Sequence, residues 1–233
     1  MRKLLLFNKK NDIGSIGIGA MIVLIAMILV AGVAASVLIS TSNSLQTQAM
    51  RTGAQTIREV SSGINVFEIY GWVYTDTSTT HTTYNNITCL AITVEPRPGS
   101  GGIDLNNTFI LISDGQTKAL VRYAYDDIAT FFEDEISGDF FGALDWESLE
   151  NDEFAIGVLQ DYDNSMKNNP YNPVLNRGDK AVLYIYTNAS AVFDTAINER
   201  IYIFGHVIPE FGSQGVISFT SPKAYTMSVY KVQ

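Results

Sequence analysis

The sequence predicts an α+β protein in which one long N-terminal hydrophobic α-helix precedes an antiparallel β-sandwich. Two observations lead to this prediction. No charged residue occurs in the 38 positions from Ile13 to Met50. The spacing of apolar residues then changes from helical to alternating near residue 68. We therefore expect a helix that ends near residue 67 and an outer β-domain over residues 68–233.

The composition excludes several classes of function. A net charge of -9, with only 15 Lys and Arg, argues against nucleic acid as a partner because phosphate binding needs a basic patch. Cys89 is the only cysteine, so no intrachain disulfide can form, and two histidines are too few for a thiolate or imidazole metal cluster. No nucleophile elbow, P-loop, dinucleotide or zinc motif occurs, so we expect no enzyme and no catalytic residue.

The N-terminal helix is long enough to cross a membrane and to continue beyond it. About 20 helical residues cross a hydrocarbon core about 30 Å thick. Basic residues precede the apolar run, which predicts a cytoplasmic N-terminus. From Leu38 to Phe67 the apolar residues recur at spacings of mostly three, four and seven without a proline, which indicates an amphipathic continuation. Such a rod suits burial among copies of itself.

The apolar run itself has three interpretations. A conventional signal peptide would be cut after Val33-Ala34-Ala35, before Ser36, although the run is longer than usual for that class. A permanent single-span anchor would keep the run in the membrane. A cut between Gly14 and Ser15 would remove a basic leader of residues 1–14 and make the helix, over residues 15–67, the mature N-terminus.

The outer domain contains eight runs that read as strands, separated by turn signals. No disulfide joins them, and their number and length predict an immunoglobulin-like antiparallel sandwich. The runs are Thr88–Val94, Phe109–Ser113, Lys118–Tyr125, Phe154–Gln160, Ala181–Thr187, Ile201–Val207, Val216–Thr220 and Thr226–Val232.

One segment of the outer domain is both acidic and aromatic. Residues 126–153 contain eleven acids and no Lys or Arg. Phenylalanine, leucine and tryptophan residues lie between the acids, so we expect one aromatic face to point inward and the acids to form a solvated negative surface.

Two kinds of candidate site occur in the outer domain. Asn86, Asn106 and Asn188 each begin an N-glycosylation sequon, although each can also be an ordinary turn asparagine. In "QDYDNS", Asp161, Asp163 and Ser165 alternate as oxygen ligands of a hard cation such as Ca²⁺. The glycine and glutamate of an EF-hand loop are absent there, and an Asx-rich turn explains the same residues.

Both ends of the chain resemble one family. After the basic residues and Gly14, "SIGIGAMIVLIAMILVAGVAASVLISTS" resembles the N-terminal signature of archaeal flagellins (archaellins), which are relatives of type IV pilins. "VIPEFGSQGVISFTSPKAYT", residues 207–226, resembles the C-terminal pattern of the same family. Bacterial pilins usually carry glutamate at the fifth mature position, where this chain has Gly19, and this difference favours an archaellin over a subunit of an adhesive pilus.

The resemblance implies a function and a set of partners. A prepilin-type peptidase would cleave between Gly14 and Ser15, and copies of the chain would polymerise through the helix into an extracellular filament, the archaellum, that rotates for swimming. A filament-assembly ATPase and a membrane platform would be the other partners. No cofactor is required, whereas Ca²⁺ and N-linked glycans are candidates in the outer domain. An adhesive surface filament and a single-span membrane-anchored surface protein are the alternatives.

Overall fold

The computed structural model describes residues 8–78, 81–142, 144–149, 152–188, 192–193 and 196–233. Leader residues 1–7 and Ser190, the last residue of the third sequon, lie outside the described residues. The chain divides into two units, one ending at Gln55 and the other beginning at Thr56.

Helix α1 spans Asn8–Ser61 and contains no proline. Its most frequent residues are isoleucine, alanine, serine, valine and glycine. Arg58 in the last turn interacts favourably with the negative end of the helix dipole. Every side chain described in α1 is exposed. The predicted long apolar helix is therefore confirmed.

The helix ends six residues earlier than predicted, at Ser61 instead of Phe67. Gly63 accounts for the difference, because a Cβ at this position would lie 2.0 Å from Ser213 Oγ. The amide of Ile64 donates to Ser213 O and the amide of Ser213 donates to Ser62 O, so the chain leaves the helix to pair with another segment. The apolar residues Ile64 and Phe67 fit helical spacing as well as a strand with a bulge, which is why the sequence misplaced the boundary.

Twelve strands follow among the described residues. All eight predicted strands are present, and β1, β3, β6 and β8 are additional. The strands are β1 (Ile64–Ser78), β2 (His81–Pro96), β3 (Ile103–Asp104), β4 (Phe109–Ser113), β5 (Lys118–Tyr123), β6 (Phe132–Glu133), β7 (Glu153–Gln160), β8 (Val174–Leu175), β9 (Lys180–Tyr186), β10 (Tyr202–Ile208), β11 (Gly215–Thr220) and β12 (Val229–Lys231). A short helix α2 (Ile128–Phe131) and a 3₁₀ turn (Trp146–Ser148) lie between β5 and β7.

The predicted sandwich is formed by one curled sheet. Its strand order is β11-β10-β4-β5-β7-β9-β2-β1-β12, with β6 beside β7, while β3 and β8 form a separate pair. All pairings are antiparallel except those of β5 and β6 with β7. The main core lies inside the curl and includes Ile69 and Ile92 from one half and Ile110, Ile203 and Ile217 from the other. The chain is thus α+β, as the sequence predicts.

The C-terminal residues close the curl. The side-chain amide of Gln233 donates to Val216 O and accepts from the amide of Ser218, so it occupies the free edge of β11. Next to it, β12 pairs with β1. Hydrogen bonds from Lys231 and Tyr70 lower the pKa of the Glu68 carboxyl from its ordinary value.

The acidic and aromatic segment covers part of the outer side of the sheet. Phe131, Phe141, Leu144, Trp146 and Leu149 are buried in a second apolar cluster. They pack against outward residues of β2, β7 and β9, which include Cys89, Ala91, Ala155, Val182 and Tyr184. The expectation of an inward aromatic face is confirmed.

Candidate functional site

The first candidate site is the apolar surface of α1. From Ile16 to Ser61 the helix is long and apolar enough to cross a membrane, judged by length and composition. Its isoleucine, leucine, valine and methionine side chains remain exposed along this length. Exposed apolar surface of this extent requires a cover, which can be lipid or other protein.

The glycines of α1 point to close contact with other helices. A Cβ added at Gly17, Gly19, Gly32 or Gly53 would meet nothing within 4 Å. Each glycine costs about 1 kcal/mol of helix stability relative to alanine, and no contact within the described chain explains this cost. Small residues in apolar helices allow neighbouring backbones to approach closely, so the pattern favours packing between copies.

The predicted cleavage point lies near the start of α1. Gly14 is exposed, and α1 runs continuously through Gly14 and Ser15. Glycine lowers local helix stability, and the preceding Asn11 and Asp12 are also weak helix formers. Gly17 and Gly19 follow closely, so the whole stretch around Gly14 is easier to unwind than the glycine-free turns from Ala20 to Ala31.

The second candidate site is a group of carboxylates after β7. Asp161, Asp163 and Asp179 bring carboxylate oxygens within 4.8 Å of one another. Asp161 accepts hydrogen bonds from the amides of Ser165, Met166 and Lys167, which fold the loop around it. Asp163 accepts from the amide of Ser165 and from Asn176 Nδ2.

The structure places the three predicted ligands differently. Asp161 and Asp163 belong to the carboxylate group, but the hydroxyl of Ser165 donates to Val174 O at 2.7 Å. The same hydroxyl also lies 3.5 Å from Asp179 Oδ2, so Ser165 stays beside the carboxylates. Hydrogen bonds from the Ser165 side chain and from its backbone amide hold the pKa of the Asp163 carboxyl below its ordinary value.

Sequence reasoning missed Asp179, which supplies the third carboxylate. Asp179 ends the tripeptide Arg177-Gly178-Asp179, a turn just before β9, and is only 1% exposed. Its carboxylate accepts from the amides of Tyr162 and Asn176 at 2.9 and 2.8 Å. No spacing rule connects it to Asp161, because the two residues are joined only by the fold of the loop.

The carboxylate group has the chemistry of a hard-cation site. Three carboxylates within 4.8 Å of one another repel, and a divalent cation would offset this repulsion. Their backbone hydrogen bonds leave other lone pairs free, since each carboxylate oxygen can accept more than one contact. The donor set therefore fits Ca²⁺, which prefers oxygen ligands.

Two of the three sequons lie together. Asn86, in β2, and Asn188, in the turn after β9, line one cavity of about 320 Å³ with Tyr74 and Tyr186. Thr88, the hydroxyl residue of the first sequon, is buried, and its Oγ1 has no hydrogen-bond partner among the described residues. Asn188 is exposed, and its Nδ2 lies 3.3 Å from the Tyr186 hydroxyl.

The remaining sequon is tied into a loop after β3. Asn106 Nδ2 donates to Asn172 Oδ1 at 3.1 Å. The hydroxyl of Thr108, which is fully buried, donates to Asp104 O at 2.8 Å. A transferase that must contact this hydroxyl therefore needs the loop to open.

Comparison with known proteins identifies the family. The family model described as archaeal-type flagellin matches residues 14–219. Flagellin B3 of Thermococcus kodakarensis is 38% identical to the chain, and the match covers 97% of this chain and 99% of that protein. Flagellin B2 of Methanocaldococcus jannaschii is 43% identical, with 96% and 97% covered.

Solved structures agree with the observed fold. The crystal structure of archaeal flagellin FlaB1 from Methanocaldococcus jannaschii has a TM-score of 0.58 and 31% identity, and the match covers 74% of this chain and 97% of that one. The archaeal flagellum of Methanospirillum hungatei strain JF1 has the same TM-score of 0.58 over 93% of this chain and 98% of that one, and at 16% identity it supports the fold alone. Together with the exposed helix and the curled sheet, these matches show that the chain belongs to the archaeal-type flagellin family of structural filament proteins, which are not enzymes.

Proposed function

We infer that this chain is a structural subunit of the archaellum filament, an extracellular surface structure, and that it polymerises through α1. The exposed apolar surface of α1 carries this conclusion. Burying one leucine, isoleucine or valine side chain contributes about 1.5–3 kcal/mol, and α1 exposes many of them. The same helix can therefore reside in lipid before assembly and among other helices afterwards.

The precursor is inserted in the membrane with its N-terminus in the cytoplasm. A prepilin-type peptidase removes residues 1–14, and an assembly ATPase and a membrane platform add the mature subunit to the filament and turn it for swimming. The basic residues before Gly14 support this orientation. The family match begins at residue 14, which supports the position of the cut. Cleavage removes four basic residues and one acid, so the formal charge changes from -9 to -12.

Mass spectrometry of filaments sheared from cells tests this function. An N-terminus at Ser15 in the filament fraction is the expected result. A start at Ser36 would mean a conventional signal peptide and the loss of most of the apolar run. An intact Met1 found only in membranes would mean a permanently anchored surface protein.

A substitution at the cleavage point gives an independent test. Gly14→Val should leave the uncleaved precursor in the membrane fraction, because a branched side chain at the cut position obstructs the peptidase. Gly53→Val is the matched control, since it places the same side chain on an exposed helical glycine far from the cut and should be processed normally. Normal filaments that begin at Ser15 in the Gly14→Val strain would contradict the assignment.

The carboxylate group is proposed to bind Ca²⁺ through Asp161, Asp163 and Asp179. Two observations support this proposal: the three carboxylates lie within 4.8 Å of one another, and one of them, Asp179, is buried. A ligand that binds only the folded state raises the melting temperature, so calcium should raise that of the full chain in detergent. An unchanged melting temperature over a calcium titration would refute the site.

N-linked glycans are proposed at the three sequons, of which Asn188 is the most exposed. Because Thr88 and Thr108 are buried in the folded chain, Asn86 and Asn106 must be glycosylated before the chain folds. Peptide mass spectrometry of filaments should find added mass on the Asn188 peptide. Unmodified peptides from all three positions would exclude N-glycosylation of the outer domain.

A further inference from the structure

The outer side of β4, β5, β10 and β11 forms an apolar surface. In β5, β10 and β11, residues alternate strictly between more and less buried positions, so one set of side chains fills the core and the other points outward. We call the outward set the apolar face. Its members are Phe109, Leu111, Leu120, Tyr202, Phe204, His206, Ile208 and Val216.

The strand register makes this surface continuous. Leu120 pairs with Leu111, Leu111 pairs with His206, and His206 pairs with Val216, so one row crosses all four strands. Beside this row, Tyr202 and Phe204 stack with ring centroids 5.8 Å apart. The five most exposed members, Phe109, Leu120, Tyr202, Phe204 and Val216, are each 42–55% exposed. Together they present roughly 400 Å² of apolar surface in one patch, a size typical of interaction sites.

The apolar face also lacks acids. The other outward positions of these strands are occupied by serine, threonine, lysine and arginine, in a chain whose net charge is -9. Contact between two acidic proteins is opposed by like-charge repulsion. The apolar face is therefore a place where two copies of this chain can meet at low electrostatic cost.

In the other half of the sheet, the apolar outer surface is covered by a segment of the same chain. There, Val182 and Tyr184 of β9 are fully buried beneath Phe141 and Trp146 of the acidic segment. No described segment covers Leu120 or Val216 in this way, since they are 55% and 54% exposed. One half of the sheet is thus covered by its own chain, and the other half lacks such a cover.

A partner that added a strand to the edge of the sheet would not cover the apolar face. The edge strand β11 would be the site of strand addition. Gln233 already occupies Ser218 N and Val216 O on that edge. A partner would therefore bind the face of these strands and not their edge.

We propose that the apolar face packs against a second copy of this chain in the filament. The proposal rests on the filament function, which places many copies side by side. The contact joins the apolar face of one copy to a different surface of the next, because such head-to-tail contacts extend without closing. It adds a contact made by the outer domain to the contacts made by α1.

Thiol labelling of filaments tests the contact. Cys89 is fully buried and free, so Val216→Cys carries the single accessible thiol of its chain. We expect maleimide to label Val216→Cys at least about tenfold more slowly in intact filaments than after dissociation in detergent. Tyr171→Cys, at a loop position that is 65% exposed, is the matched control and should react at similar rates in both states. Equal rates for Val216→Cys in the two states, or equal protection of both positions, would overturn the proposal.

A photocrosslinker on the same thiol identifies what covers the face. A dimer whose crosslinked peptide comes from this chain is expected, and a crosslink to a different protein would overturn the proposal. Leu120→Glu should abolish filaments while its circular dichroism in detergent stays that of the wild type, whereas Tyr171→Glu should still assemble. Normal filaments from Leu120→Glu would overturn the contact and leave the filament function intact, while a failure of the wild-type chain to form filaments would contradict the function itself.

Discussion

The covering of the sheet by the acidic segment can be tested at Trp146. This side chain is 6% exposed, and its Nε1 donates to Phe141 O at 2.8 Å. Trp146→Ala removes roughly 200 Å² of buried apolar surface, worth about 5 kcal/mol at 25 cal/mol per Å². It also removes one buried hydrogen bond, worth about 1 kcal/mol. Partial collapse of the cavity offsets some of this, so we expect a loss of about 3–5 kcal/mol in the free energy of unfolding.

Urea unfolding of the full chain in detergent, followed by circular dichroism, measures this loss. Trp146→Phe keeps an aromatic ring but lacks the indole donor, so it should cost only about 1–2 kcal/mol. Tyr171→Ala, on an exposed loop, should change the free energy of unfolding by less than about 0.5 kcal/mol. If Trp146→Ala costs no more than Tyr171→Ala, the segment does not pack on the sheet, and our account of the covered half is wrong.

Three further predictions concern the outer domain. Gly205→Ala should cost about 1–3 kcal/mol in urea unfolding, because its Cβ would lie 2.1 Å from Leu111 O, and an unchanged midpoint would refute this close approach. Glu68 has a lowered pKa in the folded chain, so its ionised carboxylate stabilises the fold. This stabilisation is complete above the unfolded-state pKa of about 4.3 and is lost as pH falls through the folded-state pKa. The stability difference between wild type and Glu68→Gln should therefore shrink as pH falls below about 4.3, and a constant difference would contradict the ion pair. Asp179→Asn should abolish the effect of calcium on the melting temperature, and a retained effect would place the ion elsewhere.

The sequence alone determined the features that depend on local pattern. The uncharged run to Met50 predicted the helix, since the length and polarity of a segment decide whether it can lie in an apolar medium. Alternation and short apolar runs between turn signals predicted all eight strands that we expected, and the runs without alternation, β7 and β9, are buried on both faces. The sequence also indicated the inward aromatic face of the acidic segment, because its phenylalanine and tryptophan residues favour burial.

Sequence reasoning failed where two patterns fit the same residues. From Ile64 to Phe67 the apolar spacing agrees with a helix and with a bulged strand, and only the contact of Gly63 with Ser213 decides between them. That contact joins residues about 150 positions apart, so no local rule reports it.

Only the tertiary structure decided which side chains meet. Asp179 joins Asp161 because the loop between β7 and β9 folds back on itself, and the same fold places the Ser165 hydroxyl between Val174 O and Asp179 Oδ2. The curl of the sheet likewise left one outer half covered and the other exposed, although both are apolar in sequence. The local sequence pattern determines where the helix and the strands form. Which side chains then contact one another depends on residues that are distant in the chain.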